Sequence, residues 1–72
     1  MYFTINEKIR IIAKRRGVSL SDLAGALGIT KQALNAKLNR STFSELEVKQ
    51  IATALDCSFD TVFTFNDTGE TI

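Results

Sequence analysis

LSDLAGALGITKQALNAKL, residues 20–38, reads as two short helices split by a glycine. Ser19 stands before it with Asp22 three residues on. This is a capping-box pattern, in which the hydroxyl accepts from a free backbone N–H and the acid reaches back. Leu20, Leu23, Ala24 and Leu27 fall on one side of a helix over 20–27. Gly28 supplies the left-handed backbone of a tight turn, Ile29 plugs it, and Thr30 caps a second helix over 31–39. Ala24 is small enough to let that second helix cross closely. Leu34 and Leu38 are four apart and face inward. At about 100° per residue, Gln32, Asn35, Ala36 and Asn39 then face outward, with Lys31, Lys37 and Arg40 around them.

The flanks extend the helical pattern. Thr4 and Glu7 form a capping box for a helix over 5–16, whose apolar stripe is Ile5, Ile9, Ile12 and Ala13. Lys14, Arg15 and Arg16 suit the negative end of its dipole, and Gly17 stops it. Ser44 and Glu47 open a last helix over 45–55, with Val48, Ile51, Ala52 and Leu55 inward. Val18 with Leu23, Ile29 with Leu34, and Phe43 with Val48 are placed as hydrophobic staples. Beyond Ser58 the period changes to two, with Phe59, Thr61, Phe63 and Phe65 alternating with Asp60, Val62, Thr64 and Asn66. That predicts a strand over 59–66, followed by a turn at Asp67-Thr68-Gly69. The alternative is a short fifth helix capped by Ser58, with Val62 and Phe63 buried. The expected fold is all-α, with helices at about 5–16, 20–27, 31–39 and 45–55 and a C-terminal β-strand at about 59–66. Residues 1–57 form the domain and 58–72 a tail.

Composition narrows the chemistry. The chain has 72 residues, no histidine and one cysteine. A chain this short buries only ~60% of the surface it exposes when unfolded, so its stability rests on helix packing or a partner subunit. Without histidine, Ser-His-Asp and Cys-His nucleophile systems are impossible. One cysteine gives neither an internal disulfide nor a zinc site of the usual type. There is no glycine-rich phosphate loop and no compact acidic cluster. The expectation is no enzyme, no metal, no cofactor and no small-molecule ligand pocket, with Cys57 a half-buried small hydrophobe. No apolar run approaches the ~18 residues of a membrane span, and the N-terminal charges are ordered wrongly for a signal peptide. With its unpaired cysteine the chain is expected to be cytoplasmic and nucleoid-associated.

The net charge of +1 conceals a split. Residues 1–40 carry Lys8, Arg10, Lys14, Arg15, Arg16, Lys31, Lys37 and Arg40 against Glu7 and Asp22, a net +6. Residues 41–72 carry Lys49 against Glu45, Glu47, Asp56, Asp60, Asp67 and Glu70, a net −5. One half is suited to a polyanion and the other faces away from it. The outward residues of the second helix fit the same partner. Amides bond adenine bidentately at N6 and N7 in the major groove, and lysine and arginine hold phosphates. The free N–H groups at the Thr30 end suit a contact with a phosphate oxygen.

The stretch V-S-L-S-D-L-A-x-x-L-G-I-T, followed by a helix and then E-V-K-Q-I-A-T-A-L-D-C-S, resembles the Cro-like phage-repressor (xenobiotic-response-element) helix-turn-helix proteins. The likeness covers residue 4 to about 58. The tail FTFNDTGETI is similar to small regulators of that family from Gram-positive bacteria and their mobile elements. The resemblance implies a lambda-repressor-like domain, and a homodimer that binds a palindromic operator in double-stranded DNA and regulates transcription, repressor-like. By position it implies base-edge or phosphate contacts from Thr30, Lys31, Gln32, Asn35 and Ala36, and backbone contacts from Asn39 and Arg40. An antitoxin that represses its own operon is an alternative, as is a protein-interaction module that keeps the fold without binding DNA. Two departures stand out. Leu20 occupies a position where the family often has glutamine, so that DNA contact is expected to be absent. Lys37 occupies a position that is commonly apolar, the apolar residue here being Leu38, which implies a rotated recognition helix.

A strand bearing phenylalanines at the end of a small domain has an unpaired edge that invites another chain. Phe59, Thr61, Phe63 and Phe65 are therefore the expected dimerisation residues, in an antiparallel ribbon between two copies.

Overall fold

The computed structural model describes residues 3–40 and 42–72. Its helices are α1 (Ile5–Arg16), α2 (Leu20–Leu27), α3 (Lys31–Arg40) and α4 (Glu45–Ala54). Each boundary lies within a residue of the expected one.

The starts follow from hydroxyl chemistry. Thr4 and Ser44 each accept from the backbone N–H three residues on, while Glu7 and Glu47 accept from the N–H groups of Thr4 and Ser44, at 2.9 and 3.0 Å. The expected box at α2 is only half made. Ser19 Oγ accepts from the Asp22 N–H at 3.0 Å, with no return bond from Asp22. Aspartate is one methylene shorter than glutamate, too short to reach back. Thr30 Oγ1 likewise accepts from the Ala33 N–H at 3.1 Å.

The ends share one device. Val18, Ile29 and Cys57 each donate their N–H five residues back, to the carbonyls of Ala13, Ala24 and Ala52 at 2.8–3.0 Å. The residue before each lies in the left-handed region: Gly17 at φ 69°, Gly28 at 71° and Asp56 at 56°. This six-residue closure satisfies carbonyls that a helix end otherwise leaves open. At Gly28 an added Cβ would meet nothing within 4 Å. The glycine is thus favoured by its backbone angle rather than by space, at about 1–2 kcal/mol over most other residues, Asn and Asp excepted.

α2 packs on both α3 and α4. Its buried Leu23 and Ala24 meet Ile9 and Ala13 of α1, Leu34 and Leu38 of α3, and Ile51 with Leu55 at the end of α4. Ile5, Ile12, Val18, Leu20, Leu27, Ile29 and Phe43 close the margin, half-buried. Leu23, Leu34 and Ile51 are almost fully enclosed, and each contributes about 1.5–3 kcal/mol by leaving water. The stripe reading missed Asn6, which is buried on the inner side of α1. Its Nδ2 donates to the Leu38 carbonyl, and the Thr42 N–H donates to the Lys37 carbonyl at 3.3 Å. Two open carbonyls at the end of α3 are thereby bonded.

The tail requires a correction. Among the described residues no strand spans 59–66; a single antiparallel bridge joins Thr64 to Thr71. Phe63 and Ile72 exchange both backbone bonds, at 2.7 and 2.9 Å, and Phe65 N–H bonds the Glu70 carbonyl at 2.8 Å. A four-residue loop, Asn66 to Gly69, closes this small hairpin, with Gly69 at φ 77°. The extended geometry expected from the period of two is paired only at residues 63–65, which meet residues 70–72 across the loop. The alternative fifth helix does not form either: Val62 and Phe63 are 60% and 81% exposed. All of residues 60–72 are exposed, so the hairpin stands clear of the core and the molecule measures 44 × 24 × 22 Å.

An apolar groove of about 300 Å³ lies between α1, α4 and the segment after Cys57, where no pocket was expected. Ile5, Ile9, Ile12, Val48, Ile51 and Phe59 line it. Ala52 also lines it.

Candidate nucleic-acid interface

α3 carries the candidate interface. Leu34 and Leu38 are 0% and 3% exposed, which fixes the helix about its axis. Thr30, Lys31, Gln32, Ala36, Asn39 and Arg40 are consequently exposed together, and Asn35 is half-buried among them. The face inferred from periodicity is brought together on one side of one helix. Leu38 is buried, and Lys37 beside it is half-buried at the margin of the helix.

Lys37 does not belong to that face. Its Nζ lies 2.8 Å from Glu47 Oε2 on α4, with both side chains about a third exposed. The Lys37 ammonium and the Ser44 backbone N–H lower the Glu47 carboxyl from its ordinary 4.5 to about 2. A single glutamate thus caps α4 and ties it to α3. Asn39 is reached from the other side, where Arg10 of α1 donates from Nη2 to its Oδ1 at 3.5 Å. The position of Arg10 beside α3 was not foreseen from sequence, because contacts between helices 29 residues apart leave no local signal.

The basic run ending α1 divides. Arg16 donates to the Asp56 carbonyl at 3.2 Å and approaches Cys57 Sγ at 4.0 Å, a structural use. Lys14 and Arg10 remain exposed, one turn apart, with no ion pair among the described residues. No group of three or more potential metal-ligating side chains is found among the described residues, and no helix there is long and apolar enough to cross a membrane.

A capped helix, a left-handed glycine turn and a second helix with a polar outer face constitute a helix-turn-helix, the device that lays its second helix in a DNA major groove. The chain matches the model of the Cro/C1-type HTH DNA-binding domain over residues 8–68, and it belongs to that family. Double-stranded DNA is the partner this family assignment supports. No curated protein and no solved structure matches the chain.

Proposed function

We propose that this protein is a sequence-specific, repressor-like transcriptional regulator of bacterial, phage or mobile-element origin, reading a palindromic operator as a homodimer. The observation that carries this reading is the outer face of α3. Gln32 and Asn35 carry amide edges suited to bases, Thr30 and Lys31 sit at the helix start, a position suited to phosphates, and Asn39 and Arg40 are exposed at the far end, suited to the DNA backbone. The homodimer is supported by the tail. Val62, Phe63 and Ile72 are exposed on a two-stranded hairpin, an arrangement marginal in water by itself and open to pairing at its edge. The original ribbon of Phe59, Thr61, Phe63 and Phe65 is replaced in this reading by hairpin edges meeting across a twofold axis.

Selection of bound duplexes from a random pool tests both parts. The expected product is a palindrome whose half-sites lie about 34 Å apart, one turn of DNA. Gln32→Ala then relaxes the preference at one base pair, by ~1–3 kcal/mol. Equal weakening of the selected and random duplexes overturns Gln32 as a base reader. A selected site without twofold symmetry overturns the homodimer on DNA.

A further inference from the structure

We infer that Arg10 and Lys14 of α1 form a second DNA-backbone site, a two-cation seat for one or two phosphates flanking the groove that α3 enters. Three observations place it. Arg10 and Lys14 are four residues apart, so they project one above the other from the same exposed side of α1. Both line a shallow depression of about 300 Å³, whose remaining wall is Ala13, Val18 and Leu20. Arg10 also donates to Asn39 at 3.5 Å, so one of the two cations borders the outer face of α3.

The chemistry of the depression selects an anion. Like charges one helical turn apart repel, and no carboxylate lines the site to compensate them. The wall is apolar, which strengthens the field of the two cations towards anything seated between them. Among the described residues the contact with Asn39 engages Arg10 at Nη2, and the guanidinium fork is matched in shape to a phosphate. The depression is shallow and open, so a phosphate on a continuous backbone reaches it without threading. Leu20 at the start of α2 offers no polar side chain there, and Arg10 and Lys14 supply from α1 what that position lacks. Both belong to the half of the chain with net charge +6.

The inference needs duplex binding only, and stands or falls apart from operator recognition. The experiment is therefore run on a random-sequence duplex, measuring how log affinity changes with log salt for the full-length protein. Each phosphate neutralised contributes about 0.9 to the steepness of that line. Arg10→Ala and Lys14→Ala each reduce the slope by about that amount, and the double variant by about twice as much. Arg10→Lys keeps the charge but alters the Asn39 contact, and it retains the wild-type slope. Lys49→Ala, at a cation already paired with Glu45 at 3.6 Å, leaves the slope unchanged. Loss of folded protein lowers affinity by the same factor at every salt concentration and does not tilt the line, so a structural role is read separately. A double variant with the wild-type slope overturns the proposal, whatever its affinity. If the selection finds an operator and this slope does not move, only the second site is lost. If the slope moves and no operator emerges, only the sequence-specific reading is lost.

Discussion

α3 and α4 are both ten-residue helices opened by a hydroxyl cap, yet their first turns are opposites. α4 places Glu45 and Glu47 at its positive end, complementing its own dipole. α3 has no acid in its first turn, only Lys31, and its positive end has no internal complement. Each acid omitted there forgoes about 0.3–1 kcal/mol of helix stability. α4 carries the complement to its own dipole. α3 is left short of a negative charge, which in the proposed reading a DNA phosphate would supply. The same contrast runs through the sides of the two helices: α4 presents Glu45 and Lys49 as an exposed i,i+4 pair, whereas α3 exposes amides and cations.

The largest effect tests whether the inner side of α3 is as structural as its outer side is not. Leu34→Ala removes a side chain with no exposure and opens a cavity against Leu23 and Ile51; it costs about 2–5 kcal/mol. Leu46→Ala on α4, at 67% exposure, changes stability by less than about 0.5 kcal/mol. Chemical denaturation of both variants decides this. Similar losses for the two would mean that α3 does not lean on the core as described.

A smaller effect tests the missing acid. Lys31→Glu gives α3 the first-turn charge that α4 has. Thermal melts should show the free protein more stable by about 0.3–1 kcal/mol. Duplex affinity should fall about tenfold or more for every sequence, since a phosphate contact is lost and a repulsion gained. Stability and binding moving together, in either direction, would remove the trade proposed for this helix.

How much of this was legible beforehand depends on the range of the interaction. Gly17 and Gly28, the caps at Thr4, Ser19, Thr30 and Ser44, and the leucine pair at 34 and 38 act over five residues or fewer. Sequence spacing carries such signals directly, and the helices and the outer face of α3 follow from them. Asn6 was a partial miss: with Ile9 and Ala13 it continues the inward stripe by threes and fours, but a polar residue in a stripe reads as its edge. Arg10 beside Asn39 and Lys37 on Glu47 depend on how helices are set against each other, which no local pattern encodes. The tail failed for a different reason. A period of two describes a face, whereas a strand is made by its partner, and only residues 70–72 return to pair with 63–65.

The ion pair between the two helices offers the subtlest test, because it couples the helix whose first turn is acidic to the one whose first turn is not. The Glu47 carboxyl is depressed to about 2 by the Lys37 ammonium and the Ser44 N–H. A group depressed on folding stabilises the folded state fully above its unfolded value, and that contribution is lost as pH falls through the folded value. The window therefore runs from about 4.5 down to about 2. Glu47→Gln retains an oxygen able to accept from Ser44 but not the charge that holds Lys37. At pH 7 the variant should melt slightly below the wild type. Both then lose stability in acid as other carboxylates protonate, but the gap between them should close across this window. The pair is exposed to water and salt, so the gap is small and shrinks at high ionic strength. A gap that survives to pH 2 would assign the loss to the altered cap, and α3 would then be positioned by its buried leucines and Asn6 without help from this ion pair.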